Sequence, residues 1–163
     1  MRKQIAVLAS ALLLGGGVYA QNALQTQKPK AYMVSDAHLD TQWNWDIQTT
    51  IKDYVWNTIS QNLFLLKQYP EYIFNFEGGV KYAWMKEYYP REYELMKAFV
   101  KAGRWHVSGA SWDATDTLVP SVESFIRNIM LGQEFYRKEL GVESTDILSL
   151  IHISEPTRHS LIS

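Results

Sequence analysis

Residues 35–46 read SDAHLDTQWNWD, a stretch that combines one histidine, three acids and two tryptophans. It follows the short apolar run AYMV at 31–34, which is typical of a buried strand. Side chains alternate between the two faces of an extended chain. Asp36, His38 and Asp40 are therefore predicted to share one face at the carboxyl end of this strand.

The chemistry of this stretch favours a metal beside a flat apolar surface. An imidazole next to carboxylate oxygens is a mixed ligand set that suits zinc. Trp43 and Trp45 offer planar surfaces on which a sugar ring can stack. Spacing alone leaves other interpretations open, because Asp36 and Asp40 can cap the following turn and helix, and both tryptophans can be core residues. A metal-dependent hydrolase is one hypothesis among these.

The composition of the whole chain sets further limits. The 163 residues are 47% hydrophobic and 20% charged, as in a globular domain. The net charge is −1 with no basic block, which argues against a nucleic-acid partner. The sequence has no cysteine, so any bound metal must be held by His, Asp or Glu.

Residues 1–20 have the pattern of a signal peptide: a positively charged start, an apolar run over 5–18, and small residues before a cleavage point after Ala20. A membrane-spanning helix is a weaker interpretation, because glycines at 15–17 interrupt the short run. We therefore expect export to a periplasmic or extracellular space, without a stable membrane anchor. Residues 21–30 are interpreted as a polar leader.

Strand and helix patterns alternate along the rest of the chain, which predicts an α/β domain with a mainly parallel sheet. The predicted elements are a helix over 50–69 begun by a Thr50–Asp53 capping box, a strand over 72–76, a helix over 80–89, a helix from 90 to 103, a strand over 104–109 and a helix over 121–140 capped by Ser121. The side of the last helix that is predicted to be buried comprises Val122, Phe125, Ile126, Ile129, Met130, Gln133 and Tyr136.

The carboxyl ends of parallel strands meet at one edge of a sheet, where functional groups gather. Three loops would meet there, at 36–45, 77–79 and 112–116. Each of them carries acids or aromatic residues. Their convergence predicts one composite site rather than three separate features.

Two stretches of the sequence resemble one known family. The run DAHLDTQW at 36–43 is similar to the zinc motif of glycoside hydrolase family 38, the retaining α-mannosidases. The run GRWHVSGASW at 103–112, followed by Asp116 and by PSVES at 120–124, is similar to a second stretch of that family. The order and the spacing agree, and the resemblance covers about residues 31–147.

The resemblance implies the N-terminal portion of an α/β barrel-like glycoside hydrolase domain, incomplete in this chain. It implies that His38 and Asp40 are two ligands of a Zn²⁺ cofactor, and that an α-mannoside glycan is the substrate. Trp43, Trp112 and Asp116 correspond to substrate-binding positions. Asp36 is a candidate to support the metal ligands, and Glu123 also matches a position near the pocket, although an acid is favoured in a first helical turn anyway.

The chain departs from the family after about residue 147. No run like the family's Leu-Pro-Asp-x-Phe-Gly, which carries the nucleophile, follows, and we interpret residues 148–163 as a non-native tail on a truncated sequence. A genuine divergent C-terminus is the other interpretation. The nucleophile and the acid/base residue are accordingly assigned to no residue here, and we expect the 163-residue chain to be inactive. Another metal-dependent carbohydrate hydrolase, such as a deacetylase, and a non-catalytic carbohydrate-binding protein are the alternatives. The oligomeric state stays open.

Overall fold

The computed structural model describes residues 35–114 and 119–144. Its strands are β1 (Ser35–Ala37), β2 (Phe74–Glu77) and β3 (Trp105–Ser108). Its α-helices are α1 (Ile47–Thr49), α2 (Trp56–Gln68), α3 (Gly79–Tyr88), α4 (Pro90–Lys101) and α5 (Val122–Phe135). π-helical segments follow α1 at Thr50–Val55 and α5 at Tyr136–Leu140.

The described strands form one parallel sheet in the order β1-β2-β3. Ala37 pairs with Phe76, and Glu77 pairs with Ser108, so all three strands end at the same edge. The parallel α/β fold predicted from the alternation of elements is confirmed. Within the described residues, no helix has the length and apolar character needed to cross a membrane.

The interior beneath the sheet is aromatic. Phe76 and Tyr82 are fully buried and Trp105 is 1% exposed. The Trp105 indole N–H donates to the Tyr82 hydroxyl at 2.9 Å, and that hydroxyl donates to the Phe76 carbonyl at 2.8 Å. Burial raises the pKa of Tyr82 well above its ordinary value. These two hydrogen bonds satisfy the polar side-chain atoms of Tyr82 and Trp105, as buried Tyr and Trp require.

The start of the first long helical region differs from the prediction. Asp46 is the N-cap, and its carboxylate accepts the Thr49 backbone N–H at 2.8 Å, which lowers the pKa of Asp46. The predicted Thr50–Asp53 capping box is wrong, because Thr50 is buried inside the helical region. Its hydroxyl accepts the Trp45 indole N–H and donates to the Thr41 carbonyl, both at 2.8 Å.

Most other boundaries agree within two residues. Pro90 opens α4, and Gly103 follows its end with a φ of +67°, in the left-handed region that favours glycine. Ser121 caps α5 as predicted, because its hydroxyl accepts the Ser124 backbone N–H at 3.2 Å. The strand predicted over 72–76 begins two residues later, at Phe74, and that predicted over 104–109 is Trp105–Ser108.

The packed side of α5 was predicted only in part. Tyr136 is fully buried as expected, but Val122, Ile126 and Met130 are 76%, 46% and 63% exposed. Phe125, Ile129 and Gln133 are half-buried, and on that same side the helix approaches the 110–112 backbone through Gly132, where an added Cβ would lie 2.3 Å from the Ser111 carbonyl carbon. A glycine contact carries no hydrophobic signal, so this close approach was not predicted.

Several predictions fall on residues outside the described ranges. They are the signal peptide over 1–20, the leader over 21–30, the apolar run at 31–34, Asp116 and the tail over 148–163.

Candidate metal and substrate site

His38 and Asp40 lie immediately after β1, at the carboxyl edge of the sheet. The His38 Nε2 atom is 3.2 Å from Asp40 Oδ1, and the two side chains are 39% and 41% exposed. The predicted pair is therefore brought together and accessible to a ligand. Asp36 does not join it, because the Asp36 carboxylate accepts the Ala37 backbone N–H at 2.9 Å.

The separation of the pair fits a shared zinc ion. Ligand atoms bound to one tetrahedral zinc at about 2.0–2.1 Å lie about 3.3 Å from each other. The 3.2 Å between His38 Nε2 and Asp40 Oδ1 matches that spacing. Within ranges 35–114 and 119–144, no group of three or more His, Asp or Glu side chains is arranged to hold a metal. Within the described residues, two side chains are therefore placed as candidate ligands.

Glu77 is a member of this site to which the sequence analysis gave no role. It ends β2, and its Oε1 lies 3.5 Å from His38 Nδ1, on the opposite side of the imidazole from Asp40. Its side chain is only 12% exposed. The available signal was its position at the end of the strand adjacent to β1.

Lys81 is a second residue that sequence reasoning missed. It lies in the first turn of α3 and is 1% exposed, which is unusual for lysine. Burial lowers its pKa, and the negative charges of Glu77, Asp113, Asp40 and Asp36 oppose that shift. None of the ion pairs among the described residues includes Lys81. Its interaction with the acids of the site is therefore Coulomb attraction at distances longer than an ion pair.

The three predicted loops do converge. The Gly79 and Val80 backbone N–H groups donate to the Ser111 and Trp112 carbonyls at 3.1 and 2.8 Å. The Thr41 hydroxyl donates to the Asp113 carboxylate, which ties the first loop to the third. The composite edge expected from the parallel topology is therefore present.

The predicted substrate-binding residues have different surroundings. Trp43 is 70% exposed, so its ring is free of the core and open for stacking. Trp112 is half-buried, its ring centroid is 5.6 Å from that of Phe135, and a Cβ on Gly79 would lie 2.9 Å from Trp112 Cε3. Glu123 is exposed and forms a 2.7 Å ion pair with Arg127 along α5, as expected of a helix-surface acid.

A parallel α/β sheet with His, Asp and Glu side chains at its carboxyl edge has the layout of an α/β enzyme domain. The model of the glycosyl hydrolases family 38 N-terminal domain matches residues 28–151. The chain belongs to this family.

Relatives and a solved structure agree with that assignment. The chain is 32% identical over 128 residues to "Alpha-mannosidase G" of Dictyostelium discoideum and 29% identical over 128 residues to "Alpha-mannosidase" of Saccharomyces cerevisiae. Each match covers 78% of this chain but 12% of the relative. An alpha-mannosidase crystal structure from Enterococcus faecalis aligns with a TM-score of 0.56 and 24% identity, over 64% of this chain and 12% of that one, and shows the fold alone.

Proposed function

We propose that this chain forms the N-terminal part of the catalytic domain of a zinc-dependent retaining α-mannosidase that hydrolyses terminal α-mannosides of glycans. The observation that carries the proposal is the His38–Asp40 pair, 3.2 Å apart and accessible at the carboxyl edge of the sheet. The substrate class comes from the family and from relatives that are named alpha-mannosidases.

His38 Nε2 and Asp40 Oδ1 would hold the zinc ion, and a zinc ion bound there supplies a positive template for sugar hydroxyls. The residues of this chain then bind and orient the ring. Trp43, 70% exposed and three residues after Asp40, offers a face for the apolar side of a mannosyl ring. The Thr41 hydroxyl, between Asp40 and Trp43 in the chain, donates to the Asp113 carboxylate and so connects the first loop to the third.

Retaining glycosidases need two carboxyl groups about 5–5.5 Å apart, one as nucleophile and one as acid/base. We assign neither role to a residue of this chain, because no part of it matches the family's nucleophile run. The chain by itself is expected to bind but not to turn over substrate. Measurable α-mannosidase activity of the 163-residue chain would contradict this.

The proposed function is tested on the protein produced from the locus that encodes residues 31–147. It is assayed for hydrolysis of an aryl α-mannoside before and after treatment with a chelator. We expect hydrolysis that is lost with the chelator and restored by Zn²⁺, and that falls strongly in His38→Ala. His106→Ala is the matched control, because His106 is an exposed histidine in β3. Hydrolysis that is unaffected by both the chelator and His38→Ala would overturn the zinc role.

The exposure of Trp43 also favours a second candidate, a non-catalytic carbohydrate-binding protein. In that case mannoside binding would depend on Trp43 and not on zinc. Binding that persists in chelator and is abolished by Trp43→Ala would support this candidate over the enzyme. A deacetylase would instead release acetate from an acetylated sugar in a zinc-dependent reaction.

Export is part of the proposal and rests on the signal-peptide pattern of residues 1–20. N-terminal sequencing of the protein recovered outside the cytoplasm is expected to begin at Gln21. Recovery of the chain in the cytoplasm with residues 1–20 intact would contradict the expectation.

A further inference from the structure

We propose that Glu77 is a positioning residue that fixes the orientation of the His38 imidazole, an inference that rests on the proposed zinc role of His38. The parallel register places Ala37 opposite Phe76, so the residues that follow them, His38 and Glu77, leave adjacent strand ends side by side. The resulting separation of His38 Nδ1 from Glu77 Oε1 is 3.5 Å, within ion-pair range.

The two ring nitrogens have different roles in this arrangement. With zinc held at Nε2, the proton of the ring would be on Nδ1, and the Glu77 carboxylate is the acceptor that faces Nδ1, at 3.5 Å. Without zinc, Nε2 faces Asp40 Oδ1 at 3.2 Å, so the two carboxylates compete for the ring proton. A carboxylate that holds the second nitrogen of a metal-bound histidine fixes its tautomer and raises its basicity.

The surroundings of Glu77 restrict where its carboxylate can go. A Cβ on Gly109 would lie 3.2 Å from Glu77 Cβ and 3.4 Å from Oε2, so the Gly109 backbone packs close to Glu77, and a larger residue there would crowd the carboxylate. Gly109 has a φ of +73°, which suits glycine and keeps a side chain from that space. Buried Lys81 attracts the Glu77 carboxylate from the α3 side. Glu77 is thereby held at 12% exposure with its Oε1 toward His38.

The test compares Glu77→Gln with the wild-type chain and with Glu71→Gln, an exposed acid just before β2. Glu77→Gln keeps the shape and removes the charge. Zinc affinity is measured by competition with a chromophoric chelator, and the tautomer of His38 by ¹⁵N NMR of the imidazole, with and without Zn²⁺. His38→Ala identifies the binding that depends on His38.

We expect Glu77→Gln to weaken zinc binding about 10–100-fold, with Glu71→Gln unchanged. In the zinc-bound wild-type chain, we also expect His38 to bind zinc through Nε2 and to carry its proton on Nδ1. Wild-type zinc affinity in Glu77→Gln would overturn the positioning role. Zinc bound through Nδ1 in the wild-type chain would also overturn it, and that measurement does not depend on whether the variant folds.

Failure of the proposed function gives a different result. If zinc binding is absent, or is the same in His38→Ala, the zinc role fails. The zinc-free spectra then decide the role of Glu77. A smaller Nδ1–H population in Glu77→Gln than in the wild type keeps Glu77 as the orienting group, and the same population in both proteins removes it.

Discussion

The interior of the sheet and its carboxyl edge are built from the same three strands but differ in how their side chains are held. In the interior, Phe76, Tyr82 and Trp105 are at most 1% exposed, and their polar atoms are paired. At the edge, His38 and Asp40 are 39% and 41% exposed and contact each other across 3.2 Å. The difference teaches that the side chains that stabilise the fold and those placed to bind a ligand lie at different positions along the strands. A substitution at one position should therefore affect one property with little effect on the other.

The largest expected effect is on stability and comes from the interior. Trp105→Ala removes a 1% exposed indole that packs edge-on against Phe74 at a centroid distance of 4.8 Å. We expect the free energy of unfolding to fall by about 3–5 kcal/mol, because a buried aromatic side chain is replaced by a cavity. Urea denaturation followed by circular dichroism measures this. A loss below about 1 kcal/mol would mean that the interior is less well packed than described.

A smaller loss is expected when only a buried polar group is removed. Tyr82→Phe keeps the ring but deletes the hydroxyl that connects the Trp105 indole N–H to the Phe76 carbonyl. Leaving those two groups without this partner should cost about 1–3 kcal/mol of unfolding free energy. Tyr88→Phe, at a 47% exposed position, is the matched control and should be near neutral. Equal effects of the two variants would contradict the buried hydrogen bonds that connect Trp105 through Tyr82 to Phe76.

The edge contributes a pH dependence through Lys81. Its pKa is lowered by burial from the ordinary 10.5, so between the lowered value and 10.5 the unfolded chain binds a proton that the folded chain has lost. The free energy of unfolding of the wild type should therefore rise with pH across that window relative to Lys81→Met. Urea titrations of both proteins from pH 7 to 10.5 measure the difference in unfolding free energy. The contribution of tyrosine ionisation is common to both proteins and cancels in that difference. A difference that does not change with pH would contradict the burial of this amine.

The smallest effect on stability is expected at Trp43. This side chain is 70% exposed, so Trp43→Ala should change the free energy of unfolding by no more than about 0.5 kcal/mol. Binding of an aryl α-mannoside should nevertheless weaken. Fluorescence can follow both outcomes, with the mannoside as titrant for binding and urea as titrant for the free energy of unfolding. A stability loss comparable to that of Trp105→Ala would place Trp43 in the core instead.

The sequence predicted the topology and the meeting of the three loops, because strand and helix periodicity together with parallel pairing determine both. It did not predict Asp46 as the helix cap, since Thr50 has equally good capping chemistry and only tertiary contacts to Trp45 and Thr41 bury it. The close approach of α5 to the 110–112 backbone depends on Gly132, which has no side chain for a hydrophobic pattern to detect.

The His38–Asp40 pair at the candidate site was predicted from one short stretch, through its spacing and its resemblance to the family motif. Glu77 and Lys81 did not, because their importance comes from strand register and from burial. Register is a relation between β1 and β2, and no local motif records it. Lys81 on a helix is ordinarily read as a solvated charge, and only its 1% exposure marks it as unusual.

The most direct test of the central claim is zinc binding by the purified chain, measured by competition with a chromophoric chelator. We predict one zinc site whose affinity falls at least about tenfold in His38→Ala and in Asp40→Ala, while His106→Ala and Asp53→Ala bind as the wild type does. Zinc affinity that is unchanged in both His38→Ala and Asp40→Ala would contradict the assignment of this pair as metal ligands.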